Sequence, residues 1–104
     1  MPKGYVIFTE AVDDPTGMAA YGRAAGLSIA ESGAAVLAAD PRPQVLEGTW
    51  HGDQTVVLEF ESVEAARAWY ESAAYAKAKP LRQAAARTNA VIVAGFAPRP
   101  ATAE

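Results

Sequence analysis

In residues 5–12, YVIFTEAV, apolar side chains fall on both parities of a strand: Tyr5, Ile7 and Thr9 alternate with Val6, Phe8 and Glu10. Successive side chains of a strand point to opposite faces of its sheet, so this strand has two faces to shelter from water. Residues 54–60, QTVVLEF, repeat the pattern, with Val56, Leu58 and Phe60 on one parity and Thr55, Val57 and Glu59 on the other. Any sheet built from these strands must be covered on both sides.

Helix signals separate them. Asp14 before Pro15 reads as an N-cap with proline at the first helical position. Met18, Tyr21, Ala25 and Ile29 then recur at helical spacing to about Ser32, and Gly33 supplies the left-handed stop. Residues 34–39 and 44–50 read as an extended stretch interrupted by Pro41 and Pro43, with His51-Gly52-Asp53 as a tight turn into the strand 54–60. Ser62 caps a helix that turns Ala66, Trp69 and Tyr70 toward the core. The alanine-rich run 69–86 reads as short helical pieces bent near residues 72 and 79, because Ser72 can cap a new turn and Pro80 is costly inside a helix. NAVIVAGF, residues 89–96, reads as a buried strand. Residues 1–97 make one domain, and 98–104 a flexible tail.

Strand, helix, strand, strand, helix, strand is the order of an α+β, ferredoxin-like βαββαβ fold, an antiparallel four-stranded sheet with its helices on one face. The apolar second face then calls for another sheet. The expected cover is a second copy, giving a homodimer that closes into a dimeric α/β barrel.

Composition narrows the function. Nine Lys plus Arg against twelve Asp plus Glu leave a formal charge of -3, with no basic stripe to neutralise a phosphate backbone, so nucleic acid is not an expected partner. With no cysteine and a single His51, neither a thiolate site nor a multi-histidine metal site can form within one chain. No apolar run reaches the ~20 residues that span a bilayer, and a signal-peptide pattern is missing at the start. The expectation is a cytoplasmic protein with no membrane partner, no metal and no cofactor.

GYVIFTEAVDDP at the N-terminus, VLEGTW at 45–50, VVLEFESVEAARAWYESAAY at 56–75, PLRQAAA at 80–86 and VAGF at 93–96 together resemble the small bacterial family catalogued as domain of unknown function 1330. The resemblance covers nearly the whole chain. It implies a dimeric ferredoxin-like α/β barrel and no established common activity. Ser32-Gly33 and Ala38-Ala39-Asp40 depart from the family's usual residues, which removes ligand contacts from the second strand from what the resemblance implies.

Candidate site residues come from side-chain chemistry. Glu10, Glu47 and Glu59 lie in expected strands, where burial would raise a carboxyl toward the range useful for proton transfer. Glu59 is the preferred base, because Leu58 and Phe60 must face the other way; pairing with an arginine or reaching water at the rim is its alternative. Arg82 can hold a carboxylate or enolate oxygen, or form a structural ion pair with Glu47 or Glu59. Tyr75 and Tyr21 can pack by their rings and turn hydroxyls into a cavity, and Trp50 can reach a ligand. His51 has the intrinsic pKa for acid–base work, though its turn also suits a solvated loop histidine. Glu59, Arg82, Tyr75 and His51 are thus the candidate catalytic groups, and Tyr21, Glu47 and Trp50 the candidate ligand contacts. The corresponding functions are a cofactor-free isomerase, cyclase or monooxygenase with a pocket between sheet and helices, a non-catalytic protein binding a small molecule, or a purely structural dimer.

Overall fold

The computed structural model describes residues 2–96. Strand β1 (Gly4–Val12) leads into helix α1 (Pro15–Ser32), followed by β2 (Ala35–Asp40), β3 (Gln54–Phe60), α2 (Val63–Tyr70), α3 (Ala73–Ala85) and β4 (Ala86–Ala94). The strands pair antiparallel in one sheet of order β2-β3-β1-β4. This is the α+β, ferredoxin-like architecture expected from the element order. The expected tail at 98–104 lies outside the described residues.

The caps work as their residue types suggest. Asp14 accepts from the Gly17 amide at 3.1 Å ahead of Pro15, and Gly33 closes α1 at φ 77. Ser62 and Ser72 accept from the amides of Ala65 at 3.0 Å and Tyr75 at 3.1 Å, so a new helix does begin at the bend near residue 72. Each such cap contributes ~1 kcal/mol.

Three expectations are corrected. Residues 44–50 form no strand; β3 pairs with β2, and residues 41–53 are a long connection between them. Pro41 and Pro43 withhold backbone donors, and Gly48 and Gly52 take φ of 76 and 70, which breaks extended structure. No helix boundary falls near residue 79, because α3 continues through Pro80. Tyr75, Ala78, Arg82 and Ala85 are buried on that helix, and their packing outweighs the missing backbone bond. The last strand starts at Ala86 and is an edge strand, leaving Val91 52% exposed where a buried strand was expected.

The helices cover one face of the sheet. Val6, Phe8, Leu58 and Phe60 are buried there against Tyr21, Trp69 and Tyr75. Trp69 is central, its ring centroid 4.2 Å from that of Tyr75 and 5.4 Å from that of Phe60. Its indole N–H donates to Ser28 Oγ at 3.0 Å, and Ser28 donates to the Ala25 carbonyl at 2.8 Å. Leaving such a buried donor unpaired would cost about 1–3 kcal/mol. On the outer face the register aligns Tyr5 with Glu59 and Val93, and Ile7 with Val57 and Val91.

Candidate functional site

Between α1 and the β2-β3-β1 part of the sheet lies an open cleft of about 610 Å³. Phe8, Met18, Ile29, Val36, Val56 and Leu58 give it apolar walls. A bulge between Val36 and Ala38 shifts the β2 register, so that both Val36 and Ala39 reach this side. Along α1 the wall is lowered by Gly22 and Gly26, where an added Cβ would meet nothing within 4 Å.

Glu10 stands at the polar end. It shares parity with Val6 and Phe8, faces the helices and is only 1% exposed. Cross-strand pairing places Gln54 on one side of it and Thr88 on the other. Gln54 Nε2 donates to Glu10 Oε1 at 2.9 Å, while Thr88 Oγ1 is buried with no hydrogen-bond partner among the described residues. Burial lifts the Glu10 carboxyl above the ordinary range, and the Gln54 hydrogen bond and the charge of Arg82 only partly counter it. Gly52 makes this position: its backbone lies directly against that of Glu10, and the Asp53 amide donates to the Glu10 carbonyl at 3.1 Å.

Behind the cleft a second network joins three candidates named from sequence. The Tyr21 and Tyr75 hydroxyls are 2.8 Å apart, Arg82 Nε donates to the Tyr75 hydroxyl at 3.2 Å, and Arg82 Nη2 donates to Tyr70 at 3.4 Å. Burial, together with Tyr75, holds the Tyr21 phenol far above its usual range. Burial also raises Tyr75, against the opposing bonds from Tyr21 and Arg82. Tyr21 lines the cleft; Tyr75, fully buried, and Arg82 stand behind it.

The other candidates are elsewhere. Glu59 is on the outer face, accepting from the Tyr5 hydroxyl at 3.1 Å. His51 Nε2 donates to the Arg87 carbonyl at 2.9 Å, and Trp50 donates to Thr55 Oγ1 at 2.8 Å from the sheet rim. Glu47 is exposed in the 41–53 connection. Among the described residues no group of three or more His, Asp or Glu could hold a metal ion, and no helix is long and apolar enough to cross a membrane.

The family model for the domain of unknown function DUF1330 matches residues 3–96. The chain belongs to the DUF1330 family. Among curated proteins, none matches the sequence. Among solved structures, this DUF1330 protein is similar to a protein of unknown function from Rhodopseudomonas palustris, at 22% identity and TM-score 0.72, covering 93% of this chain and 85% of that one. It is also similar to SnoaB, a cofactor-independent oxygenase from Streptomyces nogalater, at 10% identity and TM-score 0.63 over 100% of both chains. A dimeric protein of unknown function and ferredoxin-like fold from Bacteroides fragilis matches at 14% identity and TM-score 0.56, covering 88% of this chain and 93% of that one. At these identities the likeness is one of fold.

Of the polar pair in this DUF1330 chain, residue type brings Glu10 into view beside Glu47 and Glu59 but not ahead of Glu59, and Gln54 not at all. Glu10 carries a signal, since it is the carboxylate on the same parity as Val6 and Phe8. Gln54 carries none, because only the register set beside Gly52 brings it opposite Glu10.

Proposed function

We propose that this DUF1330 protein binds a small carbonyl or aromatic metabolite in the cleft beside α1 and acts on it by acid–base chemistry of the isomerase, cyclase or monooxygenase kind. The observation that carries the reading is a buried carboxylate, Glu10, at the polar end of an otherwise apolar cleft. Burying a carboxylate is costly, and one kept beside an open cavity is suited to moving a proton. Arg82 and Tyr75 support it from behind, reaching the cleft through Tyr21. SnoaB offers a likeness in fold to an oxygenase, which by itself assigns no reaction to this chain.

The reading includes a homodimer. Tyr5, Ile7, Val57, Val91 and Val93 give the outer face an apolar surface that a second sheet would cover, and a dimeric neighbour of the same fold supports that pairing.

Thermal-shift measurements with a panel of small cyclic ketones and phenols test the cleft. Compounds that bind are expected to raise the melting temperature of the natural chain but not of Gly22→Leu, whose side chain would enter the empty wall. A panel that shifts neither protein, or both equally, removes the cleft as the site.

A further inference from the structure

We propose that the cleft catalyses proton transfer at the carbon beside the carbonyl of an uncharged cyclic ketone, with Glu10 taking the proton and the Tyr21 O–H holding the enolate oxygen. This rests on the cleft being the small-molecule site. Its particular content is the direction of one hydrogen-bond chain and the charge of the cleft wall.

The direction begins at Arg82. A guanidinium only donates, so the Tyr75 oxygen accepts from Arg82 Nε at 3.2 Å. Tyr75 is 0% exposed, and among the described residues its hydroxyl hydrogen has only the Tyr21 oxygen, 2.8 Å away, to receive it. A buried donor without an acceptor is costly, so the chain runs from Arg82 through Tyr75 to Tyr21. The hydrogen left over is that of Tyr21, which lines the cleft. A cation two bonds upstream polarises it. A residue that lines the same cleft as Glu10 is therefore left with a hydrogen-bond donor to offer.

The wall fixes the charge of the substrate. Among the described residues lining the cleft there is no lysine or arginine; the polar ones are Glu10, Asp53, Gln54 and Tyr21. A carboxylate or phosphate substrate would meet two acids and no cation. An uncharged ring fits the apolar walls, and a ketone offers the oxygen that Tyr21 lacks. In the reaction the α-proton passes to Glu10, the C–H electron pair forms the carbon–carbon double bond, and the carbonyl pair moves onto oxygen. Return of a proton to the same carbon completes an exchange or epimerisation, and in a ketone with a β,γ double bond its return at the γ carbon completes an isomerisation. No electrons are lost, so no oxidant is required.

Exchange of the α-hydrogens of 2-tetralone in D2O, followed by proton NMR, tests the step, while tryptophan fluorescence reads binding of the same ketone. The protein is expected to accelerate exchange. Glu10→Gln and Tyr21→Phe should each lower the accelerated rate about 100-fold, Glu10→Gln with ketone affinity nearly unchanged and Tyr21→Phe with a loss of affinity much smaller than its loss of rate. 2-Naphthoate, of similar size but anionic, should bind at least ~10-fold more weakly, since it brings a charge that no cation in the wall balances. Gln54→Met, which removes the hydrogen bond favouring ionised Glu10, should move the rate profile to higher pH without unfolding the chain. Arg82 and Tyr21, the other titratable groups bearing on Glu10, keep one charge state through that range. Ketone binding without accelerated exchange overturns the proton-transfer step and leaves the cleft as a binding site. Equal binding of 2-naphthoate overturns the uncharged substrate, and an unmoved pH profile assigns the base elsewhere. A ketone that does not bind overturns the cleft reading along with this one.

Discussion

Glu10 is a carboxylate kept where carboxylates are costly, and its cost should be visible in stability. Its pKa in the fold is raised, chiefly by burial, above the value of about 4.3 expected in the unfolded chain. Such a group contributes fully below the unfolded pKa, and the contribution is lost as pH rises through the higher folded value. Glutamine has no proton to lose. The melting temperature of Glu10→Gln relative to the natural chain should therefore rise as pH climbs from about 4 through the raised folded value. A gap moving the other way would mean that the fold stabilises the carboxylate rather than the acid. Gly52 beside it admits no side chain: φ is 70, and a Cβ would run into the Glu10 backbone. Gly52→Ala should cost about 2 kcal/mol or more in chemical denaturation, and a neutral result would show the loop free to move off β1. The sequence held part of this site. Tyr21, Tyr75 and Arg82 were legible from residue type because each joins an apolar body or stem to a polar end. Glu10 was partly legible from parity, whereas Gln54 became meaningful only through register.

At the scale of elements, local chemistry was legible where one residue decides and obscure where packing does. Asp14, Gly33, Ser62 and Ser72 mark helix ends because each satisfies, or releases, a specific backbone group. Pro80 misleads for the opposite reason: its local penalty is real, but four buried residues hold α3 across it. The 41–53 connection misleads too, since VLEGTW has the composition of a strand, but the preceding prolines and the positive-φ glycines deny it a ladder. If packing carries α3 against the proline, then Pro80→Ala, which restores a donor to the Ala76 carbonyl, should stabilise the chain by about 1–3 kcal/mol. Chemical denaturation measures this directly. A destabilised variant would instead show that proline geometry seats Arg82 behind Tyr75.

At the scale of the molecule, the sheet's doubled apolar parity is only half resolved by one chain. The helices bury Val6, Phe8, Leu58 and Phe60, while the opposite parity leaves Val91 52% and Val93 40% exposed. If a second copy covers that face, a charge placed there should act on association rather than folding, because the position is already open to water in one protomer. A two-fold interface uses the same patch on both copies, so each substitution enters twice. Val91→Asp should therefore convert a dimer to a monomer in analytical ultracentrifugation, with the circular dichroism spectrum preserved. Leu27→Asp is the control, since Leu27 is 71% exposed on α1, on the helical side of the sheet. It should leave the dimer intact. A dimer that survives Val91→Asp but falls apart with Leu27→Asp would place the interface on the helices, and the outer sheet face would then need a different partner.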